Sequence, residues 1–438
     1  MRKRVCLVLA VLCLLWALPV SAGAEAAALP ALDSAGAVYL YHVESGRAVG
    51  RKSETDRRAA GASVKLLSGL VACEWLGSRL DETVEITDAM LAGTGGRVFR
   101  LAAGEILSWR ELLLLALCGS YNDAYDVIAY SIGNGEQVGV ANYVELLNRR
   151  AKELGAGSTV AGDASGIADN SYTTAADLCL IARAAAENAL YVGFAGLKSG
   201  TLSDGRTVRN RNSLIGAKNL GGADCAGMCV GETANAGVTL VTLVQKATDS
   251  YLLVLMDVRG EDGTASENAA NSLTARLVQW AYRNYKNTEL LPTDQTVCTL
   301  PVTVSDLVDS VDVRPREALW AYLPAGCVVG EDVLLSIRLT VDSLEAPVAE
   351  GTAVGFVAAI YDGQVIGRVP LETAGSADRS GFMSRLLSIK NLTKSRRAKA
   401  SVAFFLTCMT VWIGGALYLR YRRRAKWHQY YSSKSKWR

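Results

Sequence analysis

The sequence predicts an α/β domain with an antiparallel sheet and a helical subdomain, followed by a small all-β domain and a C-terminal transmembrane helix. Three observations support this prediction. A strand pair at 38–50 precedes several helical stretches, and two strands rich in β-branched residues follow them at 237–257. Short alternating strands with Pro and Gly turns continue from about 290 to 372. Residues 401–419 contain no charged side chain.

The N-terminal residues 1–24 have the composition of a secretory signal peptide. Three basic residues precede an apolar run, and the small residues after it place the expected cleavage site after Ala22 or Ala24. A retained membrane anchor is the alternative interpretation of this segment.

The α/β domain is predicted over 30–288. Helical periodicity, threonine and serine caps, and a Ser-Gly turn between the first two strands define its elements. Between the two strand pairs lie a helix at 62–76, a helix within 101–122 that breaks at Gly119, and a helix at 172–186; a helix at 266–285, capped by Ser266, closes the domain.

The rest of the chain divides into a β domain at 289–372, a linker at 373–400, a transmembrane helix at 401–419 and a basic tail at 420–438. Nineteen helical residues extend about 28 Å, which is enough to cross a bilayer. The tail carries eight Lys/Arg, so we expect it to stay in the cytoplasm. The predicted protein is therefore single-pass in the cell membrane, with its bulk extracytoplasmic.

The net charge of +3 conceals an acidic body. Residues 25–393 hold 31 Lys/Arg and 43 Asp/Glu, a net charge of −12, whereas 394–438 hold twelve Lys/Arg and no acidic residue. An acidic exported body argues against nucleic acid as a partner. The membrane is the partner that the C-terminal segment predicts, and its basic tail is either a ligand for anionic lipid headgroups or a solvated segment.

Cysteine and histidine usage excludes several kinds of site. Seven scattered cysteines in the body do not form a recognisable disulfide or zinc pattern, and we predict no metal and no cofactor. His42 and His428 are the only histidines, and His428 lies in the tail. A Ser-His-Asp triad is therefore not expected, and any hydrolytic chemistry would need another base, with lysine the candidate.

The stretch RRAAGASVKLLSG at 57–69 places Lys65 in the first turn of an apolar helix. A nucleophile at position 62 would share a helix face with this lysine, whose amine becomes a better base when burial lowers its pKa. Position 62 is Ala62, however, and Ser63 is the nearest hydroxyl. Three interpretations remain open: a lost nucleophile, a shifted nucleophile at Ser63, or an ordinary helix start.

Two further motifs accompany this stretch. Ser120 and Asn122 project from a loop between two helices, where an N-cap is the alternative interpretation. A strand running antiparallel to 237–246 should supply a basic residue for a substrate carboxylate. Two stretches compete for this role, GLKSG at 196–200 and GMCVGET at 227–233.

The order and spacing of these motifs resemble the low-molecular-weight penicillin-binding proteins, the serine-type D-alanyl-D-alanine carboxypeptidases. That family carries Ser-x-x-Lys, Ser-x-Asn and Lys-Thr-Gly. The resemblance covers nearly all of 36–372 and includes ASVKLLS at 62–68, RLAAGEILSWRELLLLALCGSYNDA at 100–124, ASGIADNSYTTAADLCLIARAA at 164–185, RNRN at 209–212 and APVAEGTAVGFVAAIYDGQVIGRVPL at 346–371.

The resemblance implies a β-lactamase/transpeptidase-like fold and assigns the site residues. Lys65, Ser120 and Asn122 match the family's catalytic residues, while Ala62 occupies the nucleophile position and Ser63 is the fallback. Because GMCVGET follows RNRN, it is the counterpart of the third motif.

Within that motif the Lys-Thr pair is replaced. Cys229 and Val230 stand in its place, and Cys229, Gly231 and Thr233 are the expected substrate-binding residues.

These departures predict a membrane-anchored carboxypeptidase homologue of the peptidoglycan system that no longer hydrolyses. It would act by binding a peptidoglycan stem peptide or a cell-wall protein. The alternative is an active serine carboxypeptidase that trims stem peptides through Ser63, or a thiol enzyme that uses Cys229.

Overall fold

The computed structural model describes residues 28–133, 139–381 and 396–434. The predicted signal peptide at 1–24 lies outside these residues. The chain forms two compact units. The first contains the described residues up to Asn287 together with Tyr322–Cys327, and the second contains Thr288–Ala321 and the described residues from Val328 onward.

The first unit combines strands and helices, as the α/β prediction requires. Its strands are β1 (Ala35–His42), β2 (Arg47–Lys52), β3 (Arg58–Ala59), β4 (Thr83–Glu85), β5 (Ile106–Ser108), β6 (Tyr172–Thr173), β7 (Ser199–Thr201), β8 (Thr207–Arg209), β9 (Asp224–Thr233), β10 (Gly237–Lys246) and β11 (Asp249–Val258). Its helices are α1 (Val64–Leu76), α2 (Asp88–Leu91), α3 (Trp109–Leu113), α4 (Asn122–Ile132), α5 (Gly139–Glu153), α6 (Ala175–Glu187), α7 (Ala189–Ala195) and α8 (Glu267–Asn284).

The central sheet of this unit is antiparallel and has the strand order β2-β1-β11-β10-β9. The predicted hairpin of β10 and β11 is confirmed, with Gln245 opposite Ser250 beside its turn. The strand β9 lies at the edge, where Gly231 pairs with Thr239 of β10. The stretch GMCVGET therefore runs antiparallel to 237–246, as the third motif requires.

Both faces of the sheet are covered, because successive side chains of a strand point to opposite faces. Along β11, Leu252 and Val254 join the core formed by the helical subdomain. Leu253 and Leu255 join a second core, which packs beneath α8. The result is a helix–sheet–helix arrangement that places β9 beside the helical subdomain.

The helix α1 runs through the centre of the helical subdomain. Eleven of its thirteen residues are buried, and the exceptions are Glu74 and Trp75. A helix buried on every side is expected to be apolar all round rather than amphipathic. The ammonium of Lys65, in the first turn of α1, is therefore an exception that requires an explanation.

Polar caps fix where several helices begin. Ser108 and Glu111 form a capping box at α3, and the hydroxyl of Thr174 caps α6. The predicted cap of α8 is confirmed, since the Ser266 hydroxyl accepts a hydrogen bond from the Ala269 amide. These caps satisfy backbone N–H groups that the first turn of a helix leaves without partners.

The second unit is rich in strands. They are β12 (Tyr285–Leu291), β13 (Cys298–Thr303), β14 (Ser310–Pro315), β15 (Leu319–Pro324), β16 (Val333–Leu339), β17 (Leu344–Glu345), β18 (Ala353–Tyr361) and β19 (Gln364–Thr373), of which parts of β12 and β15 belong to the first unit. A six-stranded sheet has the order β16-β18-β19-β14-β13-β17. The predicted all-β module is confirmed.

The helix α9 (Arg396–Lys434) contains an apolar stretch over Lys399–Arg424. Twenty-six helical residues extend about 39 Å, more than the hydrocarbon core of a bilayer. None of this stretch is buried against the rest of the described chain, in contrast to the core helices. The stretch contains the predicted segment 401–419 and fits a membrane anchor.

Candidate active site

One cleft of about 1000 Å³ brings the three sequence motifs together. Arg211 and five segments form its walls. The segments are the turn of 3₁₀ helix over Gly61–Ser63 with the start of α1, the turn before α4, residues 96–97, the loop 165–172, and the end of β9 with the turn after it. Of the sequence-predicted residues, Ala62, Lys65, Ser120, Asn122, Val230, Gly231 and Thr233 line the cleft.

Ala62 lies at the cleft wall, in the turn that precedes α1. The strand β9 passes so close that a Cβ added to Gly231 would lie 2.2 Å from the Ala62 Cβ. Only glycine fits at position 231 without displacing this turn. The position expected to hold a nucleophile therefore carries a methyl group, packed against the edge strand and without any hydroxyl.

Ser63 faces away from the cleft. Its Oγ donates a hydrogen bond of 2.6 Å to the Ala60 carbonyl, and the residue is only 1% exposed. It is not among the residues that line the cleft in the described part of the chain. The hydroxyl therefore serves the turn of 3₁₀ helix rather than the cavity.

The ammonium of Lys65 is buried but hydrogen-bonded. Its Nζ donates to the Ser120 carbonyl at 2.8 Å and to the Ser120 Oγ at 3.1 Å. It also lies 5.7 Å from the centre of the Tyr125 ring. Burial disfavours the charged form and lowers the pKa of Lys65 to about 8, which is suited to a base at neutral to mildly alkaline pH.

A turn of unusual geometry presents Ser120 and Asn122. The five residues Leu114–Cys118 form a π-helical run after α3, and Ser120 then adopts a φ of 56° before α4 begins. Single-turn π segments frequently occur at functional sites. The turn directs Ser120 to Lys65 and Asn122 to the cleft, as the Ser-x-Asn motif predicts.

One of the two polar side-chain atoms of Asn122 has no hydrogen-bond partner among the described residues. Its Nδ2 donates to the Gly95 carbonyl at 2.7 Å, rather than to any group of Lys65. Its Oδ1 is buried and has no partner among the described residues. An amide oxygen buried without a partner costs free energy unless a ligand supplies a donor.

Cys229 lies behind the cleft wall rather than in it. Its Sγ donates to the Ala62 carbonyl at 3.5 Å, and it lines a minor internal cavity beside Ser120. Burial raises the pKa of the Cys229 thiol to about 11, although the nearby Lys65 acts in the opposite direction. The thiol is therefore neutral at physiological pH, which does not suit a thiolate nucleophile.

The remaining motif residues fall into two groups. Val230, Gly231 and Thr233 face the cleft, and the Thr233 Oγ1 accepts from the Ala236 amide. Lys198, in the competing stretch GLKSG, does not line the cleft. His42 does not line it either, because its ring is stacked on Tyr322 with 3.6 Å between the centroids.

Two arginines of the cleft are among the residues that the sequence interpretation missed. Arg97 lies on the loop between α2 and β5, and its guanidinium carbon is 4.6 Å from the centre of the Tyr121 ring. Arg211, the second arginine of RNRN, pairs with Glu267. Arg211 could have been found from its motif, whereas Arg97 gives no signal in the sequence.

The arrangement can bind and orient a polar ligand. It offers an unpartnered amide oxygen, a buried ammonium, two guanidinium groups and the carboxylates of Asp169 and Glu232. In the described residues no cluster of three or more His, Cys, Asp or Glu side chains could hold a metal ion. The hydroxyl that a serine mechanism needs beside the lysine is replaced by the Ala62 methyl group.

Comparison with known proteins gives consistent matches. The model of the D-alanyl-D-alanine carboxypeptidase family matches residues 24–260, more than half of the chain. D-alanyl-D-alanine carboxypeptidase DacF of Bacillus subtilis is 22% identical over 355 residues, which cover 79% of this chain and 87% of that protein. D-alanyl-D-alanine carboxypeptidase DacD of Salmonella typhimurium is 24% identical over 368 residues, which cover 82% and 90%.

Solved structures show the same fold. Penicillin-binding protein 5 from Haemophilus influenzae has a TM-score of 0.59 and 22% identity, with 79% of this chain and 98% of that chain covered. The D-alanyl-D-alanine carboxypeptidase DacD from Francisella tularensis has a TM-score of 0.60 and 22% identity, with 81% and 95% covered. At these identities the likeness concerns the fold alone.

Proposed function

Because the chain belongs to the D-alanyl-D-alanine carboxypeptidase family, we propose that it is a membrane-anchored, extracytoplasmic member that has lost hydrolysis. It binds a peptidoglycan stem peptide in the cleft, or a cell-wall protein partner, and does not cleave it. Its C-terminal apolar helix holds the protein in the membrane with the basic tail on the cytoplasmic side.

The observation that carries this proposal is the pairing of Ala62 with Lys65. The lysine is buried and hydrogen-bonded as a base would be, but the residue beside it in the cleft has no hydroxyl to activate. Ser63 uses its hydroxyl on the Ala60 carbonyl. A covalent serine mechanism needs the nucleophile and the base within hydrogen-bond reach.

Retention of the binding half of the site supports a ligand. The Asn122 Oδ1 lacks a partner among the described residues, and Gly231 keeps β9 tight against the cleft. An extended peptide could place an amide N–H on that oxygen. Residue positions 120, 122, 231 and 233 would then orient the peptide without reacting with it.

We expect the full-length chain in detergent micelles to bind diacetyl-L-lysyl-D-alanyl-D-alanine without releasing D-alanine. Titration calorimetry measures the binding, and mass spectrometry of the recovered peptide measures cleavage. Asn122→Ala should weaken binding by roughly tenfold, since one hydrogen bond to a buried amide contributes about 1 kcal/mol or more.

Asn271→Ala is the matched control, because Asn271 lies on α8 and outside the cleft-lining residues. Release of D-alanine from the peptide would contradict the loss of hydrolysis and favour the enzyme alternative through Ser63. Absence of binding to the unmodified chain would contradict the stem-peptide role.

The proposed topology has its own test. Protease added to protoplasts should digest the acidic body but spare a fragment that contains Trp437, because the basic tail would lie inside. Immunoblotting with an antibody against the C-terminal residues detects this fragment. The same digestion after permeabilisation should remove it, and removal of Trp437 from intact protoplasts would contradict the assignment.

A further inference from the structure

Arg97 stands on a loop that is fixed to the Ser-x-Asn turn. The Asn122 amide donates to the Arg97 carbonyl at 2.7 Å. The Asp123 carboxylate accepts from the amides of Phe99, Arg100 and Leu101 at 2.8–3.1 Å. The backbone of Arg97 is therefore held in place by the first residues of α4.

The guanidinium of Arg97 is also oriented. Its Nε donates to the Gly119 carbonyl at 2.9 Å, and its face lies over the Tyr121 ring. A hydrogen bond at Nε combined with stacking restricts the plane of the guanidinium group. Such an arrangement reduces the side-chain entropy that binding a ligand would cost.

The three positively charged side chains of the cleft differ in whether a partner within the protein already holds them. Arg211 forms an ion pair with Glu267, and Lys65 gives its hydrogen bonds to Ser120. Arg97 forms no ion pair with a carboxylate in the part of the chain that the structure describes, although it lines the cleft. Its charge is therefore available to a ligand.

Arg97 and Arg211 flank the same turn. The Arg97 Nε bonds to the Gly119 carbonyl, and the Arg211 amide bonds to the adjacent Cys118 carbonyl at 2.9 Å. Both arginines line the cleft, as does Ser120. At positions 229 and 230, by contrast, a neutral thiol and an aliphatic side chain offer no group that could hold an anion.

We propose that Arg97, stacked on Tyr121, is the specificity-determining residue that binds the terminal carboxylate of the peptide in this cleft. This inference rests on the proposed function. Arginine presents parallel N–H donors that match a carboxylate, whereas Arg211, on the other side of the turn, is already paired with Glu267. Arg97 compensates for the absence of a cationic side chain at Cys229.

The test compares diacetyl-L-lysyl-D-alanyl-D-alanine with its C-terminal amide, using the full-length chain in detergent micelles. The unmodified chain should bind the acid at least tenfold more tightly than the amide. Arg97→Gln should remove this preference and leave the affinity for the amide unchanged within about twofold. The preference should also weaken at higher ionic strength, because Arg97 is exposed to solvent.

Arg100→Gln is the matched control. It removes the same charge three residues further along the chain, and the side chain of Arg100 does not line the cleft. It should keep the preference for the acid, as should Tyr121→Phe, which retains the ring. If the unmodified chain binds neither peptide, both the proposed binding of a stem peptide and this inference are overturned. Equal affinity for acid and amide, or a preference that survives Arg97→Gln, overturns this inference alone.

Discussion

The unmodified protein is expected to form no covalent adduct with a fluorescent penicillin. The reason is chemical: the residue beside Lys65 in the cleft is Ala62, and the Ser63 hydroxyl is bonded to a carbonyl outside the cleft. In a serine protease, removal of the nucleophile lowers turnover by about 10⁶. A loss of this size should leave labelling at the background level.

Ala62→Ser alone should restore little acylation. The new hydroxyl would lie near the amine of Lys65, but Cys229 and Val230 still provide no clamp for the carboxylate of the antibiotic. Correct positioning can contribute about 7–11 kcal/mol to an intramolecular attack, so a nucleophile without its clamp reacts slowly.

The triple variant Ala62→Ser, Cys229→Lys, Val230→Thr should then acylate measurably. Gel fluorescence measures the adduct, and mass mapping should place it at position 62. Because Cys229 is buried next to Lys65, a lysine there adds a second ammonium in the same region, so thermal unfolding must first show that the variant is folded.

Adding Lys65→Met to the triple variant gives the control, since it removes the base and should abolish the adduct. An adduct on the unmodified protein, above all one that maps to Ser63, would show that the assignment of Ala62 to the nucleophile position is wrong. The enzyme alternative would then replace the proposed loss of hydrolysis.

Much of the fold could be predicted from local pattern. The β-branched and apolar composition of 237–257 predicts β10 and β11, because strands that are buried on both faces are rich in such residues. Ser266 marks the start of α8 because a serine side chain supplies the acceptor that a first turn lacks. The motifs ASVK, SYN and GMCVGET were likewise predicted to form one site, and residues of all three line one cleft.

Other features could not be predicted, because they depend on contacts between distant segments. The strand β9 is buried on both faces, so its sequence does not reveal that Cys229 turns towards the Ala62 carbonyl and away from the cleft. The stacking of Arg97 on Tyr121 joins a loop to a turn, and neither has a periodicity that would indicate it. The hydrogen bond of Ser63 to Ala60 depends on a side-chain rotamer.

Lys65→Met is expected to leave the protein as stable as before, or to stabilise it by up to about 2 kcal/mol at pH 7. Burial lowers the pKa of this lysine from 10.5 to about 8, and each pKa unit corresponds to about 1.36 kcal/mol against the charged form in the folded state. The lowered pKa of Lys65 therefore corresponds to a destabilisation of the folded state by roughly 3 kcal/mol. Loss of the two hydrogen bonds to Ser120 offsets part of the gain.

The pH dependence gives the sharper measurement. A lysine whose pKa is depressed in the folded state destabilises fully below about pH 8, and this penalty disappears as the pH rises towards the unfolded pKa of 10.5. The advantage of Lys65→Met over the unmodified chain, measured by urea unfolding, should therefore be largest at pH 7 and shrink towards pH 10.

Lys152→Met provides the control, because Lys152 is exposed on α5 and should show no such trend. A fall of several degrees in the melting temperature of Lys65→Met at pH 7 would mean that the hydrogen bonds to Ser120 outweigh the burial of charge. An advantage independent of pH would show that the ammonium is not the source of the strain. Either result would contradict the view that the lysine persists as a costly remnant of a base that no longer has a nucleophile to activate.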